Sequence, residues 1–152
     1  MAVVNDATRT SAETGGKLDR KSTLSLAWVF LIVNYIYCDV ISLTDAKYLR
    51  ELMTGTVGGI EMTRGFLLGA SVLMEVPMAM IFLSRVLPYR ANRWSNVAAG
   101  ALMTIVQTLS LFVGEGPTPH YLFFSAIEIA GAALVVWYAW TWPQPEGRRL
   151  SS

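Results

Sequence analysis

The chain has 152 residues, 53% of them hydrophobic and 15% charged, with 12 basic and 11 acidic side chains. A net charge of +1 gives no electrostatic footprint for nucleic acid, and no such partner is expected. Cys38 and His120 each stand alone, which excludes an intramolecular disulfide and the paired-ligand patterns of metal and haem sites within one protomer, so no metal and no cofactor are expected.

The chain opens on a polar stretch, Met1 to Ser22, rich in Thr, Ser, Asp, Lys and Gly. It has no apolar run of the kind a secretory signal needs, and it reads as a disordered tail. Four windows then follow: Leu24–Leu43, Met62–Leu83, Ser95–Val113 and Tyr121–Trp142. Each approaches the run of about 20 apolar residues that crosses a bilayer as a helix. The expected fold is all-α, an integral membrane four-helix bundle over residues 23–143, with a polar C-terminal tail over 144–152.

The first window carries Trp28, Asn34, Tyr35, Tyr37 and Asp39. Trp28 and the tyrosines fit interfacial belts. The connection Thr44–Ile60 has room for a short helix from Asp45 to Met53, with Thr44 as N-cap and Gly55 as terminator. Tyr48, Leu49, Leu52 and Met53 give that helix an apolar side, suited to the membrane surface or to covering a cavity. Gly58-Gly59 reads as a flexible hinge leading to the second window, where Gly65 and Gly69 form a small-xxx-small pair that permits close helix approach. Pro77 removes one helix hydrogen bond and frees the Leu73 carbonyl. Ser84–Trp94, with Pro88 and three arginines, reads as a loop. The third window is rich in Ala and Thr, and the two glycines and two prolines of 114–119 break the helix after it. The fourth ends in Trp137, Tyr138, Trp140 and Trp142, an aromatic girdle, and stops at Pro143.

Basic residues in short flanks set orientation. Lys17, Arg20 and Lys21 precede the first window, Arg85, Arg90 and Arg93 separate the second from the third, and Arg148 and Arg149 follow the fourth. An even number of spans puts all three groups on one side. The expected location is the cell membrane, multi-pass, with both termini cytoplasmic.

Each window also carries a polar stripe, because residues three, four, seven and eleven apart share a helix face. In the first, Trp28, Tyr35, Asp39 and Ser42 share a side, with Asn34 displaced toward a neighbour. The second offers Arg64, Leu68, Ser71 and Glu75; the third Asn96, Gly100, Met103, Gln107 and Ser110; the fourth Tyr121, Ser125, Glu128 and Ala132. At about 1.5 Å per residue, Glu75, Gln107 and Glu128 lie within roughly 5 Å of the bilayer centre, and Asp39 about 8 Å toward the outer side. A charge near that centre costs about 2.5–3.5 kcal/mol. Three carboxyl groups at such cost are expected to meet in one enclosed chamber, with Arg64 placed to pair with Asp39 or Glu61. Glu75 and Glu128 have no cation at their depth, so at least one is expected in its neutral form, able to give up a proton.

The stretches Asn34–Asp39, Met74–Met78 and Leu83–Trp94 resemble a bacterial family of small four-span membrane proteins of unknown function, over about Leu24 to Trp142. A more distant likeness is to DoxX-type four-span bundles. The resemblance implies the bundle and assigns no reaction, so no catalytic residue is carried over from it.

The function expected from the residues is a cofactor-independent acid/base enzyme, of isomerase or cyclase type, acting on a lipophilic small molecule such as a terpenoid. Glu75, Glu128 and Asp39 would be catalytic, and Asn34, Tyr35, Arg64, Ser71, Gln107, Trp28 and Phe124 would bind substrate. A proton-coupled small-molecule transporter built on the same acids is the alternative, and a noncatalytic subunit or scaffold the third reading. The expected partners are the lipid bilayer and the lipophilic molecule, with room for a homo-oligomer.

Overall fold

The computed structural model describes residues 19–114 and 116–143. The expected polar tails fall almost wholly outside these residues. Helices dominate: α1 (Arg20–Ser42), α2 (Ala46–Thr54), α3 (Arg64–Val86), α4 (Tyr89–Ser110) and α5 (Pro119–Trp140), with a two-residue hairpin, β1 (Thr56–Val57) and β2 (Ile60–Glu61), between α2 and α3. Among the described residues, α1, α3 and α5 are long and apolar enough to cross a membrane, which marks the chain as a membrane protein. Helix α4 is as long, but it carries Arg90, Asn92, Arg93 and Asn96 in its first two turns.

The four long helices run alternately up and down. In this ring α1 packs on α3 and α5, and α4 on α5 and α3. Buried positions explain the arrangement. On α1 they are Leu24, Trp28, Leu31, Tyr35, Cys38 and Ser42, with Ser25 beside them donating to the Ile81 carbonyl of α3, and on α5 Ser125, Glu128, Ala132, Val135 and Ala139. Both series alternate steps of three and four, the repeat that drives side chains into a neighbour's grooves at a shallow crossing angle. Small residues bring the axes together. A Cβ on Gly100 would lie 2.7 Å from Val136 Cγ2 and 3.2 Å from the Ala132 carbonyl oxygen, and one on Gly131 would lie 2.8 Å from Leu31 Cδ2. The opposite faces of the same helices expose Phe30, Ile36, Ile105, Phe123 and Leu134. Such outward apolar stripes are expensive in water and match acyl chains.

Basic side chains fasten one end of the ring. Arg20 donates to the Tyr138 carbonyl at 3.0 Å, Lys21 to that of Leu87 at 2.7 Å, and Arg93 to that of Trp140 at 2.9 Å. These are the orphan carbonyls of helix C-termini and the adjoining turn, where cationic donors also complement the helix dipole. The stretch expected as a loop over 84–94 is mostly helix. Pro88 serves as the N-cap and α4 begins at Tyr89, six residues before the expected start.

The opposite end carries the α2 cap. Asp45, rather than Thr44, is the N-cap of α2, accepting from the Lys47 and Tyr48 amides at 2.8 and 3.3 Å. These amides hold the Asp45 carboxyl below its ordinary range. Gly55 ends the helix in the left-handed conformation at φ 79°. The expected hinge at Gly58-Gly59 is instead the tight turn of the hairpin. Both residues have positive φ, 56° and 81°, as a two-residue turn matched to strand twist requires. Gly58 also rests on Gly114 of the α4–α5 connection, where a Cβ would come within 3.2 Å of the Gly114 Cα.

Helix α3 is the exception to close packing. Pro77, Met80 and Ser84 bury its basic-end half, whereas Arg64, Gly65, Phe66, Leu67, Leu68 and Gly69 are all exposed. Pro77 sits where the packed half gives way to the open one.

Candidate functional site

Glu128 is 1% exposed, and its Oε1 has no hydrogen-bond partner. Across from it on α1, Tyr35 is 6% exposed and its hydroxyl is likewise unpartnered. Both come from the three-and-four seams that join α1 to α5, so the packing that builds the fold also carries these polar atoms inward. Buried polar groups are almost always paired. A third such atom, Arg93 Nε, lies at the basic end; these two, a carboxyl and a phenol on facing helices, mark the centre of a candidate site.

Around them lies a polar shelf toward the α2 end. Gln107 Nε2 donates to Ser125 Oγ at 2.8 Å, Tyr121 donates to Ser110 Oγ at 2.6 Å, and Ser110 donates to the Gln107 carbonyl at 2.7 Å. Ser42 donates to the Cys38 carbonyl at 2.8 Å and lies 3.3 Å from His120 Nε2. The Glu128 carboxyl is within electrostatic range of Tyr35, Cys38, Tyr121 and Asp39. Tyr48 of α2 closes the shelf from above, in electrostatic range of Asp39, Tyr121 and Cys38; burial first, and Asp39 second, push its phenol above the ordinary value. This set can accept a proton, donate one, and hold a polar group of a bound molecule between a carboxyl and a phenol.

The remaining expected site residues do not all converge here. Asp39 is exposed on the flank of α1, at the rim of the shelf. Glu75 and Ser71 are exposed on the far side of α3, and Ser71 donates to its own Leu67 carbonyl at 2.8 Å. The three carboxyl groups therefore do not share a chamber. The reason is rotational: the buried line of α3 runs through Leu73, Pro77, Met80 and Ser84, and Glu75 lies two residues from Leu73 and Pro77, on the opposite face. Arg64 is exposed at the start of α3 and forms no ion pair with Asp39 or Glu61 among the described residues. Asn34 donates to the Phe30 carbonyl of its own helix at 2.9 Å, and Phe124 stacks edge-on with Phe123. Among the described residues no three His, Cys, Asp or Glu side chains converge to hold a metal ion.

A family model described as a family of unknown function (DUF6326) matches residues 15–148. The chain belongs to that family. No curated protein matches it, and no solved structure does. The matched region takes in all four long helices, with Tyr35 and Glu128 among its residues.

Trp28 belongs to a second buried polar group, nearer the basic end. Its Nε1 donates to Asn96 Oδ1 at 2.7 Å, and Ser84 Oγ donates to the same oxygen at 3.2 Å. Asn96 Nδ2 donates to Asn92 Oδ1 at 2.7 Å, and Asn92 Nδ2 to the Ser84 carbonyl at 2.6 Å. Every side-chain amide here is paired, across α1, α3 and α4. This network holds helices in register and offers no free group to a ligand, unlike the Glu128 shelf. Asn92 and Ser84 escape a sequence reading that assigns 84–94 to a loop. Tyr121, Ser125 and Ser110 are visible on the polar stripes, but nothing in their spacing separates them from ordinary helix contacts. Tyr48 is legible only as part of the apolar side of α2.

Proposed function

We propose that the protein is a four-span integral membrane enzyme, both termini cytoplasmic, that performs acid/base chemistry on a lipophilic small molecule at Glu128. One observation carries the reading: a fully buried carboxyl oxygen and a facing buried phenol, both without partners, in the middle of two apolar helices. Leaving such groups unpaired costs roughly 1–3 kcal/mol each, a cost that a bound hydroxyl, carbonyl or double bond undergoing protonation would offset. In this reading α4 is the fourth span, its arginines and asparagines lying at the cytoplasmic end.

Glu128, carried in its neutral form, donates the proton; Tyr35 orients the substrate's polar group and Gln107 supports the shelf through Ser125. Asp39 at the rim returns the proton from solvent. Isomerisation or cyclisation of a terpenoid-like molecule needs nothing more than such a donor and acceptor in a water-poor site. The position of Asp39 between solvent and Glu128 also favours a second reading, a proton-coupled transporter that loads and unloads Glu128 from the α2 side.

The test uses the protein in lipid nanodiscs with a panel of prenyl alcohols and a total lipid extract in D2O. The enzyme reading expects a product carrying solvent deuterium, detected by mass spectrometry, that Glu128→Gln forms about 10²-fold or more slowly, as for loss of a general acid. Equal deuterium incorporation by the wild type and Glu128→Gln overturns it. Proton uptake into liposomes that depends on Glu128, without any product, selects the transporter.

A further inference from the structure

On the outer side of the α1–α5 seam, near the basic end, lies an apolar groove of about 170 Å³. Leu24 and Val135, both buried, form its floor. Thr23 and Ala27 flank it from α1, and Leu134 and Trp137, both exposed, flank it from α5. An apolar cavity of ~150 Å³ holds a six-carbon ring, so the groove has room for a hydrocarbon segment of roughly that size.

Arg20 precedes Leu24 and Ala27 by steps of four and three, which places it on the groove side of α1, at the end nearest the membrane surface. Its Cζ lies 4.6 Å from the centre of the Tyr138 ring, itself part of the groove wall, and it donates to the Tyr138 carbonyl. That bond uses one of five guanidinium N–H donors. No carboxylate pairs with Arg20 among the described residues. Asp19 is the one acid described at this end, and its carboxylate faces Ser22, Arg85 and Lys21 instead. Against it stand Arg20, Lys21, Arg85, Arg90 and Arg93.

We propose that this groove binds an anionic glycerophospholipid, one acyl chain lying between α1 and α5 and the phosphate on Arg20. Each half of that ligand matches one half of the site. The chain meets a lining with no polar surface, and the phosphate meets a planar cation whose fork of donors fits its oxygens. A zwitterionic lipid carries its own ammonium beside the phosphate and gains less from an end with this excess of positive charge. A neutral lipophile leaves Arg20 without an anion, and a free phosphate ester leaves the groove empty. Leu134 and Trp137 face outward whereas Glu128 is buried within the ring, so the acid/base reading stands or falls independently of this site.

Native mass spectrometry of the full chain in mild detergent tests it, with palmitoyl-oleoyl phosphatidylglycerol and phosphatidylcholine offered together at equal concentration. About fivefold more phosphatidylglycerol adduct is expected, the effect of one basic group on one lipid charge. Arg20→Gln should bring the two lipids to parity, and Arg20→Lys should keep the preference. Arg90→Gln, exposed at the same end but on α4, should leave it intact. Ala27→Leu and Thr23→Leu fill the groove from α1 and should lower phosphatidylglycerol retention with helix content unchanged by circular dichroism. Glycerol phosphate, which has no chain, should not displace the lipid. Equal adducts of the two lipids, or a preference that survives Arg20→Gln, overturns the proposal. Retention unchanged in the groove-filling variants, or displacement by glycerol phosphate, overturns the placing of the chain.

Discussion

At the scale of single residues, the molecule separates two kinds of buried polar group. Asn96 is saturated: it joins Trp28, Ser84 and Asn92 within one network. Asn96→Ala strands the Trp28 indole N–H and the Ser84 hydroxyl, and is expected to lower stability by about 2–4 kcal/mol for the groups left unpaired. Thermal unfolding in mild detergent measures it. Tyr35→Phe removes an atom that bonds nothing, so the same measurement should find stability unchanged or raised by up to about 1 kcal/mol, while activity falls. A pairing role for Tyr35 in the resting protein would give the opposite sign. Asp45 provides the pH signature. Its carboxyl is held below the ordinary 3.8 by the Lys47 and Tyr48 amides. Its contribution to α2 is therefore complete above that value and disappears as pH falls through the lowered one. Amide exchange of α2 should accelerate only under strong acid, and Asp45→Asn, a good N-cap without a charge, should remove that dependence.

At the scale of elements, much of the architecture was legible because apolar run length and periodicity are large signals. The cores of all four long helices fall where the windows placed them. Gly55 as terminator of α2 was readable from residue type alone. What was not legible is rotation. Ser71 and Glu75 share a face by spacing, but a helix with polar residues on one side does not reveal whether that side meets its own bundle or something else. Tyr35 and Glu128 resolve inward and Glu75 outward because Leu73, Pro77, Met80 and Ser84 give α3 a competing buried line. The start of α4 was obscured by its arginines and asparagines, which imitate a loop. Close approach sets two further expectations. Gly100→Val should disrupt the α4–α5 contact and cost about 1–3 kcal/mol, since even a Cβ meets the Ala132 carbonyl at 3.2 Å. Gly58→Ala combines a positive φ with the Gly114 contact, and should release the hairpin, read as faster proteolysis of the 55–62 segment, without unfolding the long helices.

At the scale of the whole molecule, the two ends of the ring are built differently. Arg20, Lys21, Tyr89 and Arg93 stitch the basic end by donating to carbonyls of other segments, the last two to Trp142 and Trp140. The fully paired asparagine network lies just above those stitches. At the far end Ser42 meets His120, and Gln107 and Tyr121 join α4 to α5, under the α2 cap and its glycine contact, while the outer half of α3 stands apart from its neighbours. Of the long helices, α3 alone opens on six consecutive exposed residues, Arg64 to Gly69. Deuterium should accordingly reach backbone amides of Arg64–Glu75 long before those of Met80–Val86, although both belong to one continuous helix.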